Sequence, residues 1–318
     1  MTEHLVPPKI AIIGAGRVGV TFAYALMLSG LTSEIVLIDE NKERVKGEVM
    51  DLDHAIPMTH PTKVWSGEYV DCKNAAIVVI TAGVAQKPGE TRLDLLKRNA
   101  VISKDIIPEI VQYNANAILL ITTNPVDVLS YAAWKLSGFP SQRIIGSGTI
   151  LDTARFRYLL GRYYGVDTRD VIAYIIGEHG DSEIPVWSRA NIAGMHLPSF
   201  CTARGYIHNQ QTMDDFFYQA RDAAYRIIER KGATNYAIAT GLVRIVEAIL
   251  RDQKTVLPVS TLIDGHYDIK DVYLSLPSLI GSAGIEWVVP FELNNEEIEG
   301  LRKSAAILKN IIKNLSLV

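Results

Sequence analysis

Cysteine is scarce in this chain of 318 residues, with only Cys72 and Cys201 present. They are far apart, and neither sits in a metal-ligating or redox spacing. That argues against a disulfide framework and a Cys-based metal centre, and two reduced thiols in a cytoplasmic protein are expected. An excess of one charge is also lacking. The 32 Lys and Arg against 35 Asp and Glu leave a net charge of −3. Nothing in that balance points to nucleic acid or a membrane surface as a partner. Long apolar runs are missing too. The longest, such as "AAIVVITAGVA", fall far short of the ~18 residues needed to cross a bilayer. The opening "MTEHLVPPKI" holds two prolines and no apolar run, so no secretory signal is expected.

What remains is 48% hydrophobic and 21% charged, the profile of a globular protein. The length suits two lobes rather than one ordinary core. Five apolar runs recur in the first half: "KIAIIGAG", "SEIVLID", "AAIVVITAG", "NAILLITTN" and "QRIIGSG". Near-continuous hydrophobicity of this kind predicts parallel strands buried on both faces. Between them lie helical patterns, with Val45, Val49, Leu52 and Ile56 on one face, then Leu93, Leu96, Ala100 and Ile107. Strand and helix alternating in this way predict a doubly wound α/β sheet.

The second half reads differently. Residues 214–230 and 235–251 have helical patterns. The stretch "TVLPVSTLIDGHYDIKDVYLSLPSLIGSAGIEWVVP" alternates and is punctuated by Gly and Pro, which predicts antiparallel strands. A terminal amphipathic helix follows, capped by Asn294 or Asn295. The expected division is a first domain over 1–146 and an α+β domain over 147–318. The helix near 235–251 is expected to pack back on the first domain.

"GAGRVG" places Gly14, Gly16 and Gly19 in G-x-G-x-x-G spacing, after the strand "KIAII" and before an amphipathic helix. Gly14 permits the tight turn, Gly16 lets backbone approach a pyrophosphate, and Gly19 lets helix and strand pack closely. The helix N-terminus favours negative phosphate. Asp39 closes the second strand, 20 positions after Gly19. A carboxylate there suits the ribose hydroxyls of NAD and repels the extra phosphate of NADP. A Rossmann-type NAD site is therefore expected. Asp as a simple helix cap is the duller explanation.

Four polar features stand out beyond that motif: Asn124 in "ITTNPVD", Asp152 with Arg155 in "LDTARFR", His179 in "GEHGDSE", and Arg92 on a loop. Singly, each has an ordinary explanation: a turn, a cap, a structural histidine, a solvated arginine. Together, at the carboxyl edge of a parallel sheet, they suit reduction of a keto acid. His179 supplies a proton near neutral pH. Asp152 holds the ring and favours its protonated form. Arg155 offers a planar fork for a carboxylate, and Arg92 polarises the carbonyl.

The stretches "GAGRVG", "QKPGETRLDLLKRN", "TTNPVD", "GSGTILDTARFR", "GEHGDSE", "KGATNYAIA" and "DVYLSLPSLIG" occur in this order. In them the sequence resembles the L-lactate/L-malate dehydrogenase family along essentially its whole length, and within it the bacterial lactate branch. The resemblance implies His179, Asp152 and Arg92 as catalytic groups, and Gln86, Arg92, Asn124, Arg155 and Thr234 around the substrate. It implies NAD contacts at Gly14, Gly16, Arg17, Val18, Gly19, Asp39, Thr81, Ala82, Gly83, Asn124, Ser147 and Ile238. It also implies pyruvate as substrate, no metal, and a homotetramer, whose association is expected to be weaker or condition-dependent without the long N-terminal arm of some animal relatives.

The loop "TAGVAQKPGETRLDLLKRN" then acquires meaning. In the malate branch the position of Gln86 resembles an Arg that pairs with a second carboxylate. A neutral Gln86 with Glu90 nearby disfavours a dicarboxylate, while Lys87 is a rival source of positive charge. Pro88 and Gly89 punctuate a lid. Relatives that bind fructose bisphosphate resemble one another in an Arg two residues after the anchor and a His seven before the catalytic His. Here these are Arg157 and Ile172, so activation is expected to be weak or absent. The alternatives are a malate or bulkier 2-oxo-acid dehydrogenase, a metal-requiring NAD-dependent hydrolase, and a non-catalytic NAD-binding protein.

Overall fold

Strands that are apolar on every residue need cover on both faces, and the chain supplies it. The computed structural model describes residues 8–84 and 92–314, without the side chains of residues 92 and 93. The first half runs β1 (Lys9–Ile13), α1 (Arg17–Ser29), β2 (Glu34–Ile38), α2 (Lys42–Ala55), β3 (Lys63–Ser66), β4 (Ala75–Ile80), α3 (Arg92–Tyr113), β5 (Ile118–Ile121), α4 (Val126–Ser137) and β6 (Ile144–Gly146). Alternate residues of each strand enter opposite cores. Ile10 and Ile12 of β1 face one, with Ile77 and Val79 of β4. Ala11 and Ile13 face the other, with Val78 and Ile80.

The second half runs α5 (Ile150–Tyr164), β7 (Val171–Ile172), β8 (Ile175–Ile176), β9 (Ile184–Pro185), β10 (Asn191–Ile192), β11 (Met195–His196), α6 (Leu197–Arg204), α7 (Gln210–Arg221), α8 (Ala223–Lys231), α9 (Tyr236–Leu250), β12 (Thr255–Ile263), β13 (Val272–Gly281), β14 (Gly284–Val288) and α10 (Asn295–Asn314). Asn294 is the α10 cap: its Oδ1 accepts from Glu297 N at 2.9 Å, and Glu297 reaches back to Asn294 N at 3.0 Å. This is the reciprocal capping box.

One sheet takes strands from both halves, in the order β14-β13-β12-β6-β5-β4-β1-β2-β3. β1 to β6 are parallel, and β12 to β14 add antiparallel at the β6 edge. Antiparallel strands were expected in this region, but their joining of the first sheet was not. The edge strand β3 was also missed, because four residues carry too little pattern. The helix expected across 214–230 breaks at Asp222 into α7 and α8. Ile56, placed on the α2 face by spacing, opens a separate 3₁₀ turn before Pro57 instead.

The order reverses beside β1, with β2 on one side and β4 on the other. That switch point opens a crevice beyond the carboxyl ends of the strands, the usual ligand position in such sheets. α9 packs against α1 in one core, with Leu242, Ile245 and Val246 against Phe22 and Leu26. This carries the α9 N-terminus to the crevice, where Asn235 Nδ2 donates to Thr21 Oγ1 at 2.9 Å.

Candidate active site

The glycine turn forms one wall of the crevice. Gly14 has φ +106°, and a Cβ there would lie 2.5 Å from Ala82 N. At Gly19 a Cβ would strike Gly14 O at 1.9 Å. Each is required to be glycine, the first by conformation and contact, the second by contact. Gly16 differs, because a Cβ there would meet nothing within 4 Å. It caps α1 without a side-chain bond, so the helix N-terminus faces open space. A phosphate fits there, with no side chain in its way.

Asp39 follows β2. Its Oδ2 accepts from Ala15 N at 2.7 Å and its Oδ1 from Asn41 N at 3.0 Å. The carboxylate thus braces the glycine turn. Thr81 and Ala82, beyond β4, donate their backbone N–H groups to Ile13 O at 2.9 and 2.8 Å. Thr81 Oγ1 donates to Gly14 O at 2.8 Å. Gly83 is exposed, as is Arg17 at the head of α1, and Val18 is half-buried. The Arg17 guanidinium reaches Gly232, just before Thr234. Thr234 and Ile238 are half-buried around the start of α9. These residues have the donor types and spacing that suit NAD.

Asn124 lies three residues beyond β5, and it is exposed. Its carbonyl accepts from Asn99 Nδ2 of α3 at 2.8 Å. Buried Ser147 follows β6, donating its N–H to Ile121 O at 2.8 Å. Gln86 lies outside the described residues, with Lys87, Pro88, Gly89 and Glu90. Arg92 opens α3, and its side chain is likewise outside them.

Three side chains join directly. Asp152, in the first turn of α5, is 2% exposed. Its Oδ2 lies 2.6 Å from His179 Nδ1, and its Oδ1 accepts from Arg155 Nη1 at 2.9 Å. Arg155 sits at i+3 on the same helix face, as neighbouring side chains must for this contact. Burial alone would raise the Asp152 carboxyl, but His179 and Arg155 hold it below the usual range. Burial alone would lower the His179 imidazole, yet the Asp152 charge and hydrogen bond raise it to about 9. The His179 side chain keeps 25% exposure, enough to meet a substrate.

The loop bearing His179 is fixed through its backbone. Gly177 exchanges both hydrogen bonds with Ser275 of β13, at 2.9 and 2.8 Å. Glu178 N donates to Ser304 Oγ of α10 at 2.8 Å, and His179 N donates to Asp127 Oδ2 of α4 at 2.7 Å. Asp127 also accepts from Ser260 Oγ at 2.6 Å. Burial raises the Asp127 carboxyl to about 6 against these two donors. The sequence reading did not single out Asp127. The only available signal was a carboxylate in an otherwise apolar helix start, "NPVDVLSY".

Glu183 was missed as well. It is 6% exposed, and one of its oxygens shares a 4.8 Å cluster with His179 and Asp152. Its Oε1 has no hydrogen-bond partner among the described residues. Burial, and then the Asp152 charge, raise its carboxyl to about 9.

Comparison with known proteins gives a consistent picture. The model of the lactate/malate dehydrogenase NAD binding domain matches residues 8–146. That of the lactate/malate dehydrogenase alpha/beta C-terminal domain matches residues 149–316. The chain is 52% identical to an L-lactate dehydrogenase of Acetivibrio thermocellus over 317 residues, covering 100% of each. It is also 52% identical to an L-lactate dehydrogenase of Clostridium botulinum, over 97% of each. Among solved structures, it resembles a lactate dehydrogenase from a deep-sea metagenome library, with TM-score 0.95 and 44% identity over 98% of this chain and 100% of that one. The minor L-lactate dehydrogenase of Enterococcus mundtii gives TM-score 0.95 and 38% identity, with the same coverage.

Proposed function

The chain belongs to the lactate/malate dehydrogenase family, and from that premise we propose that it is an NAD-dependent oxidoreductase reducing pyruvate to L-lactate, and reversing that reaction. The observation that carries the mechanism is the buried relay Arg155–Asp152–His179, linked at 2.9 and 2.6 Å. When bound, NADH supplies the hydride to the carbonyl carbon. Arg155 uses one edge of its guanidinium on Asp152 and presents the rest of the fork to the substrate carboxylate. His179, protonated through Asp152, gives its proton to the carbonyl oxygen as the alcohol forms. In the reverse direction the neutral imidazole takes it back. Arg92 and Asn124 attend the carbonyl oxygen, and Thr234 borders the substrate. Gly14, Gly16, Arg17, Val18, Gly19, Asp39, Thr81, Ala82, Gly83, Asn124, Ser147 and Ile238 line the cofactor.

The division between the two halves falls at residues 146 and 147, with most NAD contacts in the first half and the His179–Asp152–Arg155 relay in the second. Arg92 and Asn124 reach the substrate from the first half, and Ser147 and Ile238 the cofactor from the second. No described helix is long and apolar enough to cross a membrane. A cytoplasmic location goes with the proposed activity. The protein acts as a homotetramer. In support of subunit contact, Tyr24, Met50 and Tyr236 expose 47%, 61% and 69% of their surface around α1, α2 and α9.

NADH oxidation with pyruvate against oxaloacetate, on the native chain and on Gln86→Arg, tests the choice of substrate. The native chain is expected to prefer pyruvate by about a hundredfold, since a neutral amide gives a second carboxylate no partner. The substitution moves preference toward oxaloacetate. A native chain that turns over oxaloacetate as well as pyruvate would overturn the proposal.

A further inference from the structure

Three buried carboxyl groups surround His179: Asp127 holds its backbone N–H at 2.7 Å, and two lie by its ring, of which only one is partnered. Asp152 holds Arg155 at 2.9 Å and His179 at 2.6 Å. Glu183 is 6% exposed, and its Oε1 is without a partner among the described residues. The charged groups that face Glu183 are Asp152 and Arg155 of α5, His179, and Arg221 of α7. Arg221 is paired with Asp222 at 3.0 Å. Two carboxylates this close and this dry do not both ionise, so the proton goes to the one whose charge nothing holds. We infer that Glu183 is a positioning residue, a carboxylic acid kept protonated beside the His179–Asp152 pair, so that Asp152 on the ring and Asp127 on the backbone N–H of His179 are not joined by a third negative charge during turnover.

The consequence is a limit on the proton affinity of His179. A Glu183 charge within the 4.8 Å cluster, added to those of Asp152 and Asp127, would bind the proton too tightly for the imidazole to release it to the carbonyl. It would equally leave no neutral ring to accept a proton from lactate. At alkaline pH, where Glu183 does ionise, its charge delays the loss of the His179 proton. The two groups then titrate as a coupled pair. The same three residues have the donor types of a metal site. The Arg155 cation already on Asp152 disfavours a second cation there, and a protonated Glu183 is no ligand.

This inference rests on His179 as the proton donor, and its test separates the two. Infrared spectra of the whole enzyme at pH 7, without substrate, are expected to contain a buried carboxylic-acid carbonyl band. The band shifts in protein carrying ¹³C-glutamate, fades as pH rises through about 9, and is missing from Glu183→Gln. In the same variant the alkaline limb of kcat/KM for pyruvate moves down by about one pH unit, because no late charge supports the imidazole. Absence of the band, or an alkaline limb that stays put when the band is lost, would overturn the inference. If Glu183→Gln fails to fold, the labelled native enzyme alone decides whether the acid exists. Retention of pyruvate reduction by His179→Asn would instead remove the proton-donor reading, which the infrared result does not address.

Discussion

Replacing Asp152 by Asn removes one charge and nearly no volume, which makes its expected effect calculable. The His179 imidazole is raised from its ordinary 6.5 to about 9. That is a factor of several hundred in proton affinity, or about 3 kcal/mol at 1.36 kcal/mol per pH unit. Burial acts in the opposite sense, so the Asp152 carboxylate at 2.6 Å, with smaller contributions from Glu183 and Asp127, must outweigh it. Without the Asp152 charge, the imidazole is expected to fall back toward its ordinary 6.5, burial then being opposed only by the weaker charges. At pH 7.5 the protonated fraction then drops from nearly all to about a tenth or less. An amide also offers one oxygen where two are used. If it accepts from Arg155, it turns its NH₂ toward Nδ1 and selects the wrong tautomer of the ring.

The assay is kcat/KM for pyruvate between pH 5.5 and 10, followed by NADH absorbance. The native enzyme is expected to hold its activity until the pH nears about 9, and Asp152→Asn to lose it from about 6.5 upward. At pH 7.5 the loss is tenfold or more. Stability follows the same groups. The raised imidazole contributes fully below pH 6.5, and that contribution is lost as pH rises through about 9. The lowered Asp152 carboxyl contributes above 3.8 and loses its contribution as pH falls through its folded value. The pair is therefore worth most between those limits, and the variant should lack that plateau in thermal unfolding. An alkaline limb that stays near 9 in Asp152→Asn would refute the assignment of the raised proton affinity to this carboxylate.

Two other expectations follow from neighbouring contacts. Asp127→Ala strips the acceptor from His179 N and Ser260 Oγ, 2.7 and 2.6 Å away. Each buried donor left alone costs about 1–3 kcal/mol, so Tm and kcat should both fall. Asp127→Asn should recover much of both, its oxygen accepting from His179 N while Ser260 turns to accept from its NH₂. Full activity and native Tm in the Ala variant would show that the loop needs no such tether. Fructose bisphosphate should change the half-saturating pyruvate concentration by less than about twofold, a few tenths of a kcal/mol. Ile172 is 39% exposed and has no charge to offer, and Arg157 is occupied by Ala173 O at 2.8 Å and by the Tyr174 ring. A large fall in half-saturation would overturn this.

The parts legible in the sequence are those where one local requirement dictates residue type. β1, β2, β4, β5 and β6 show as apolar runs because both their faces are buried. Gly14 and Gly19 were legible because conformation and contact leave no alternative there. The relay was less legible. Asp152 and His179 are 27 positions apart, and nothing short of the tertiary fold or a family resemblance puts them in contact. Asp127 and Glu183 left weaker traces still. The first works through a backbone N–H, which has no sequence signature. The second is informative because one oxygen lacks a partner, and no residue pattern records that. The selectivity reading at Gln86 falls outside the described residues.

The single sheet shared by both halves bears on how the chemistry is held. β12 approaches β6 closely at Ser260 and Gly146, where a Cβ on Gly146 would lie 2.7 Å from that of Ser260. Gly148, at φ +52°, would place a Cβ 2.4 Å from Ser275 Oγ. Small residues therefore let the antiparallel strands fuse to the parallel ones at the point where α5 departs. Thr149, the cap of α5, donates its N–H to Ser275 Oγ at 3.0 Å, and the backbone of Ser275 also pairs with Gly177. One residue of β13 thus positions the start of the helix bearing Asp152 and Arg155, and also the loop bearing His179. The spacing between acid and base is set by a hydrogen-bonded seam, not by the relative placement of two separately folded lobes. Functional groups on such an element keep their geometry to a fraction of an ångström, as proton transfer requires. Motion that admits substrate must then come from elements outside the seam, and the relay itself does not need to move.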